Sequence, residues 1–188
     1  MKATFRAEIK QNLKTITDVE KAMQQAFRRA GDIAGRAMVK AAVEYVKGKK
    51  RLKVGDIRSG ITLLRPGLKA EKLVWKLKVE SKRAVPLAKY PHRQTKTGVT
   101  VRVNVGKSAK LRSAFVATLK GGHTGIFRRV GKARLPIKEM FSSKLTDVIN
   151  DSGVGQRLQE NAQARMAAEL QRIVPLELAK LEGKKQRG

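Results

Sequence analysis

Along this chain the apolar residues keep one period, switch to another, and switch back. From Thr17 to Val46 they recur at helical spacing, in a stripe of Val19, Met23, Ala26, Phe27, Ala30, Ile33, Ala34, Ala37, Met38, Ala41 and Tyr45. Residues three and four apart share one helix face, so the stripe predicts a long amphipathic helix. In the middle of the chain the period is two. Leu73, Trp75, Leu77 and Val79 alternate with Lys72, Val74, Lys76 and Lys78, and Val99, Val101, Val103 and Val105 alternate with Thr100, Arg102 and Asn104. Both runs predict strands with one apolar and one polar face. After Leu145 helical spacing returns, through Val148 and Ile149 and then through Val154, Leu158, Ala162, Met166, Leu170 and Ile173. The pattern predicts an α+β fold: a small antiparallel sheet packed against the long N-terminal helix, cationic face outward, with C-terminal helices.

Local signals refine this outline. Phe5, Ala7 and Ile9 alternate with Arg6, Glu8 and Lys10, which predicts a short first strand, and Thr17-Asp-Val-Glu20 has the form of a capping box opening the helix. Gly31 and Gly35, one turn apart, each cost a helix about 1 kcal/mol relative to Ala; close packing of another element explains them, or a contact between subunits. A short helix is expected around Val54–Leu63, ended by Pro66-Gly67, and a long basic loop over Ser81–Thr97. Ala114–Leu119 and Ile126–Val130 flank Gly121-Gly-His-Thr-Gly125, a hairpin with a glycine-rich tip. Pro175 is expected to kink or stop the last helix, and Gly183–Gly188 to form a frayed basic end. The expected organisation is one domain over residues 1–188: strand and long helix in 1–46, a basic strand and loop region in 47–139, and helices in 140–188.

Charge decides the class of partner. Of 43 basic and 15 acidic residues, 26 basic and only 4 acidic lie in residues 47–139, so +22 of the net +28 falls there. Such a region repels itself unless an anion neutralises it. A membrane surface would call for a basic amphipathic helix or a lipid anchor, whereas this region reads as strands and loops. Nucleic acid is the better match. The candidate contacts are Lys47, Lys49, Lys50, Arg51 and Lys53 in one loop, Lys82, Arg83, Arg93 and Lys96 in another, and Arg128, Arg129, Lys132 and Arg134 around the hairpin. The last four suit DNA or an acidic protein equally. Zinc-finger spacing, zipper heptads and RNP aromatic motifs are missing, and one Trp with two Tyr offers few stacking platforms. The implied mode is phosphate neutralisation without base readout.

Catalysis is not expected. There is no cysteine, and the two histidines, His92 and His123, stand apart in sequence. The middle region holds only Asp56, Glu71, Glu80 and Glu139, at spacings that do not suggest the gathered carboxylates of a metal-dependent nuclease. The glycine-rich tip lies between strands and lacks the Lys-Ser/Thr pair of a phosphate-binding loop. No cofactor or metal is expected, nor a membrane partner: no run approaches the roughly 20 apolar residues of a spanning helix, and the N-terminus does not resemble a signal peptide.

The segment Gly122-His-Thr-Gly-Ile-Phe-Arg-Arg-Val-Gly-Lys-Ala-Arg-Leu-Pro-Ile-Lys-Glu-Met-Phe141 resembles a signature of phage tail-completion and head–tail joining proteins, carried by Gly122, His123, Gly125, Phe127, Arg134, Leu135, Pro136, Ile137 and Glu139. By layout the chain is similar to the minor tail protein Z family: a long Ala-rich helix, basic strands and a closing helix. It departs at Ser142-Ser143, where many relatives have Gly-Pro. The resemblance implies a small antiparallel sheet on a long helix and a structural role at the head-proximal end of a long phage tail, in a homo-oligomeric ring assembled in the host cytoplasm. It implies as partners duplex DNA and other tail and neck proteins: the tail terminator, the end of the tape measure and the head connector. The motif residues are then partner-contact candidates. A ribosomal or other RNA-binding protein is the alternative; it predicts long disordered basic tails, whereas both flanks here are near neutral and amphipathic.

Overall fold

The computed structural model describes residues 2–67, 72–80, 84–150 and 153–185. Helix α1 (Lys2–Lys49) is followed by α2 (Val54–Arg58), β1 (Ile61–Leu64) and β2 (Lys76–Val79). After a single 3-10 turn at Leu87–Lys89 come β3 (His92–Thr95), β4 (Gly98–Val101), β5 (Ala109–Arg112), β6 (Ala114–Thr118), β7 (Thr124–Arg129) and β8 (Ile137–Glu139). Helices α3 (Leu145–Asn150) and α4 (Val154–Lys185) close the chain. The fold is α+β, as the change of period predicts, with three small sheets in place of one: β1-β2, β3-β4-β5 and β6-β7-β8. The chain divides into two compact units.

The first unit comprises residues up to Met38, Leu63–Lys76, and the chain from Gln159 onward. Its core is a helix pair. Ala26 and Ala30 of α1 are fully buried against Ile173 of α4, with Ile33, Met166, Leu170 and Val174 packed around them. Alanines and glycines let α1 approach its neighbours closely: a Cβ on Gly31 would overlap the ring of Trp75, and one on Gly35 would lie 2.8 Å from a Leu63 methyl. Trp75 is pinned there, its Nε1–H donating to Asp32 Oδ1 at 2.9 Å. Close packing, the first of the two explanations offered for these glycines, is thus observed. Glu169 and Glu177 are nearly buried on α4. Arg165 and Arg172 pair with Glu169, at 2.9 and 2.8 Å, and Arg29 and Lys180 pair with Glu177. The hydrogen bond from Arg172 holds the Glu169 carboxyl below its ordinary pKa, and that from Lys180, with Arg29, does the same for Glu177.

The second unit comprises Val39–Thr62 and Leu77–Leu158. The last turns of α1 contribute Ala42, Val43 and Val46 to its core, with Leu52, Ile57, Val99, Val101 and Ile126. Both three-stranded sheets are antiparallel throughout. The β3–β4 turn closes on Gly98, where a side chain would meet the Leu111 carbonyl oxygen, so only glycine fits. The two sheets are linked by Gln94, which donates to the Gly98 carbonyl (3.2 Å) and accepts from the Val116 amide on β6 (2.8 Å).

Several local expectations are corrected. Phe5–Ile9 is helical, not a strand; Phe5, Ile9 and Leu13 also fit helical spacing, and a growing helix extends through such a stretch more readily than a new element starts. Thr17 and Glu20 therefore lie inside α1 rather than capping it. The buried line of α1 is Ala22, Ala26, Ala30 and Ala34, while Val19 and Phe27 are 39% and 37% exposed. The helix around Val54–Leu63 ends at Arg58 and the chain turns into β1. The strand expected from Leu73 begins only at Lys76, and the Ser81–Thr97 loop contains β3. Strand β4 stops at Val101 because the next residues pair elsewhere: the Arg51 amide donates to the Val103 carbonyl and the Val105 amide to that of Lys49. Pro175 does not stop α4; the surrounding packing and the Arg29–Glu177 pair hold the helix across the missing donor. Of the expected frayed end, Gly183–Lys185 is helical and residues 186–188 lie outside the described residues.

Candidate nucleic-acid interface

In a strand pair, directly opposite residues point to the same face. The register pairs Arg93 with Thr100 and Thr100 with Lys110, then Thr95 with Gly98 and Gly98 with Arg112. One face of the β3-β4-β5 sheet therefore carries Arg93, Lys110 and Arg112 in adjacent rows, all exposed. The other carries Val99 and Val101, both fully buried. A sheet that buries valines on one side and shows cations on the other presents a flat basic surface without needing any one charge to be paired.

This surface continues around the unit. Arg93, Lys96 and Arg102 line a shallow depression with Pro91 and His92. A second depression shares Pro91 and His92 and adds Lys47, Lys50, Arg51, Lys53 and Lys89. A third shares Lys50 with the second and adds Lys49 and Lys107. The Lys47–Lys53 stretch is not one loop as expected: Lys47 and Lys49 lie in the last turn of α1 and Lys50, Arg51 and Lys53 follow it, tied to the segment after β4 by the Val105–Lys49 and Arg51–Val103 backbone hydrogen bonds, 3.1 and 2.9 Å. His92 is fixed by its Nδ1–H donating to the Tyr90 carbonyl at 2.8 Å. Tyr90 is buried at the edge of the surface, and that burial raises its phenol pKa, against the pull of a hydrogen bond with Ser142.

The structure thus brings together Lys47, Lys49, Lys50, Arg51, Lys53, Arg93 and Lys96 from the sequence-derived set. Lys82 and Arg83 lie outside the described residues. Arg128, Arg129, Lys132 and Arg134 lie on β7 and the turn after it, where Arg129 sits over the Phe115 ring, 5.5 Å from its centroid. Sequence reasoning leaves out Arg102, Lys107, Lys110 and Arg112. The signal is present for three of them: Arg102 alternates with Val101 and Val103, and Lys110 and Arg112 flank Leu111.

The carboxylates of the basic region are spoken for. Asp56 accepts from Lys89 Nζ at 2.6 Å, Glu80 pairs with Lys78, and Glu139 pairs with His123 at 3.0 Å. Glu71 lies outside the described residues. Among the described residues no group of three or more His, Asp or Glu side chains is arranged to hold a metal ion, and no helix is long and apolar enough to cross a membrane.

Four of the motif residues converge on one face of the β6-β7-β8 sheet. Phe127 of β7 pairs with Glu139 of β8 and is buried. The His123 ring stands edge-on to Phe127, with centroids 6.4 Å apart. A Cβ on Gly125 would lie 2.8 Å from the Phe127 ring and 2.9 Å from Glu139. Gly122, with φ of +81°, turns the hairpin tip, and the Leu135–Pro136 peptide is cis in the next turn. His123, Gly125 and Glu139 thus gather around the Phe127 ring.

The described residues thus form an α+β fold of long helices and small sheets with an unbalanced basic surface. The model of one family, prophage minor tail protein Z, matches residues 5–182, nearly the whole chain. The chain belongs to that family and is a phage tail structural protein, a component of the virion; the family is not one of enzymes. No curated protein and no solved structure matches the chain significantly.

Proposed function

We propose that this tail protein completes the head-proximal end of the tail as a homo-oligomeric ring, and that the cationic face of its second unit contacts duplex DNA through the phosphate backbone. The observation that carries this reading is the β3-β4-β5 sheet, whose outer face bears Arg93, Lys110 and Arg112 opposite buried valines. DNA that passes through or rests in a tail must be held whatever its sequence, and backbone contacts provide that. Salt sensitivity follows: six to ten phosphate contacts would cost roughly a thousand-fold or more in affinity between 50 and 200 mM salt. The head connector, the tail terminator and the end of the tape measure are the neighbours this position implies. The RNA-binding alternative loses its ground once the chain is placed among tail proteins.

Position and ring are tested together by tagging the chain and imaging purified tails. Label at one end only, opposite the host-binding tip, with a ring-shaped particle mass by light scattering, is the expected result. Label along the whole tube, or a strict monomer at assembly concentrations, contradicts it.

A further inference from the structure

The turn joining β7 to β8 carries features that DNA contact does not require. Val130 and Leu135 are each 67% exposed, more than any other large apolar side chain among the described residues. Lys132 and Arg134 stand exposed between them. The base of the turn is closed by the Val130 amide donating to the Pro136 carbonyl at 3.1 Å. Beside it, Arg128 on β7 lies directly opposite Lys138 on β8, and like charges so placed destabilise a sheet. Among the described residues no carboxylate pairs with any of these four cations; adjacent Glu139 is engaged by His123. The Arg128 side chain makes a long hydrogen bond, 3.4 Å, to the Arg112 carbonyl.

Apolar side chains gain nothing from phosphate, and cations gain little from an apolar surface alone. Together they match a protein surface on which carboxylates surround an apolar recess, the apolar-centre and charged-rim arrangement of protein interfaces. A second copy of this chain is a poor source of such a surface. It has 15 acidic residues against 43 basic ones, and Asp56, Glu80, Glu139, Glu169 and Glu177 are already paired. Two side chains on a closed turn also present far less apolar area than the helices that hold proteins on lipid. We infer that the β7–β8 turn docks onto a different protein of the tail, one whose surface presents carboxylates around an apolar recess. The inference rests on membership of the tail-protein family and is independent of the DNA reading of the β3-β4-β5 face.

The test uses the full-length chain and two double variants, Val130→Ser/Leu135→Ser and Lys132→Gln/Arg134→Gln. The probe is tails assembled without this chain, to which each form is added before sedimentation; duplex DNA and anionic vesicles are titrated in parallel. Both variants are expected to keep the parental unfolding midpoint, since the altered side chains are exposed, and to bind tails about tenfold more weakly. The apolar pair is expected to leave DNA affinity within about twofold, because it releases no counterions. A photo-crosslinker at Leu135 should capture a tail protein other than this chain. Unchanged tail binding by both variants overturns the inference, as does a crosslink to a second copy. Loss of DNA or vesicle binding by the apolar variant with tail binding intact reassigns the turn to that ligand. Failure of the parental chain itself to bind these tails would instead count against its role as a tail component, which keeps the two failures distinct.

Discussion

Gly31 and Gly35 are indistinguishable in the sequence, yet they meet different neighbours. At Gly31 an added methyl runs into the Trp75 ring, which Asp32 holds in place; at Gly35 it meets only the end of the Leu63 side chain, which is free to turn. Overpacking costs about 1–3 kcal/mol, and the gain in helix propensity returns about 1 kcal/mol. Gly31→Ala should therefore destabilise by up to about 2 kcal/mol in urea unfolding, and Gly35→Ala should be neutral or slightly stabilising. Equal losses at both positions would contradict this packing. Tyr90 supplies a second test. Its folded-state pKa is raised above 10.0 by burial, so its contribution is complete below pH 10 and is lost as pH rises through the folded value. Tyr90→Phe should remove that alkaline step from the stability profile. Neither partner is legible in the sequence, because Trp75 and Ser142 are far along the chain from the groups they meet.

At the scale of elements, α4 binds its charged residues into the first unit. Glu169 and Glu177 have carboxyl pKa values lowered from 4.5 by their basic partners, so the stability they confer is present above that value and lost as pH falls through the folded one. Acid unfolding followed by circular dichroism should shift toward neutral pH in Arg172→Gln, and Glu169→Gln should flatten the acid limb. No shift in either variant would mean the pairs are ornamental. The periods of the sequence place α1, α3, α4 and the β6–β7 hairpin, since long or strongly alternating runs leave little choice. They miss β5 and β8, four and three residues long, because strands this short are made by pairing with a neighbour rather than by their own pattern. The helical stripe of α1 is offset for a related reason. Its larger side chains Val19 and Phe27 suggest the core face, but the close approach of α4 selects the alanines.

For the whole molecule the governing fact is where the charge sits. Its concentration between residues 47 and 139 is plain from the sequence, and so is the resemblance carried by residues 122–141. Which cations share a surface is hidden there, because that depends on strand register: Arg93, Lys110 and Arg112 are neighbours only through β4. Arg128 belongs to β7 of the other sheet, yet its side chain reaches the Arg112 carbonyl at 3.4 Å, a proximity the sequence does not reveal. The most direct measurement is duplex DNA affinity across 50–200 mM salt, for the parental chain and for Arg93→Gln/Lys110→Gln/Arg112→Gln. If DNA rests on this face, binding is sequence-independent and steeply salt-dependent, and the slope becomes shallower by about 0.9 for each phosphate that the triple variant no longer neutralises. An unchanged slope and affinity in the triple variant would show that DNA does not rest on this face.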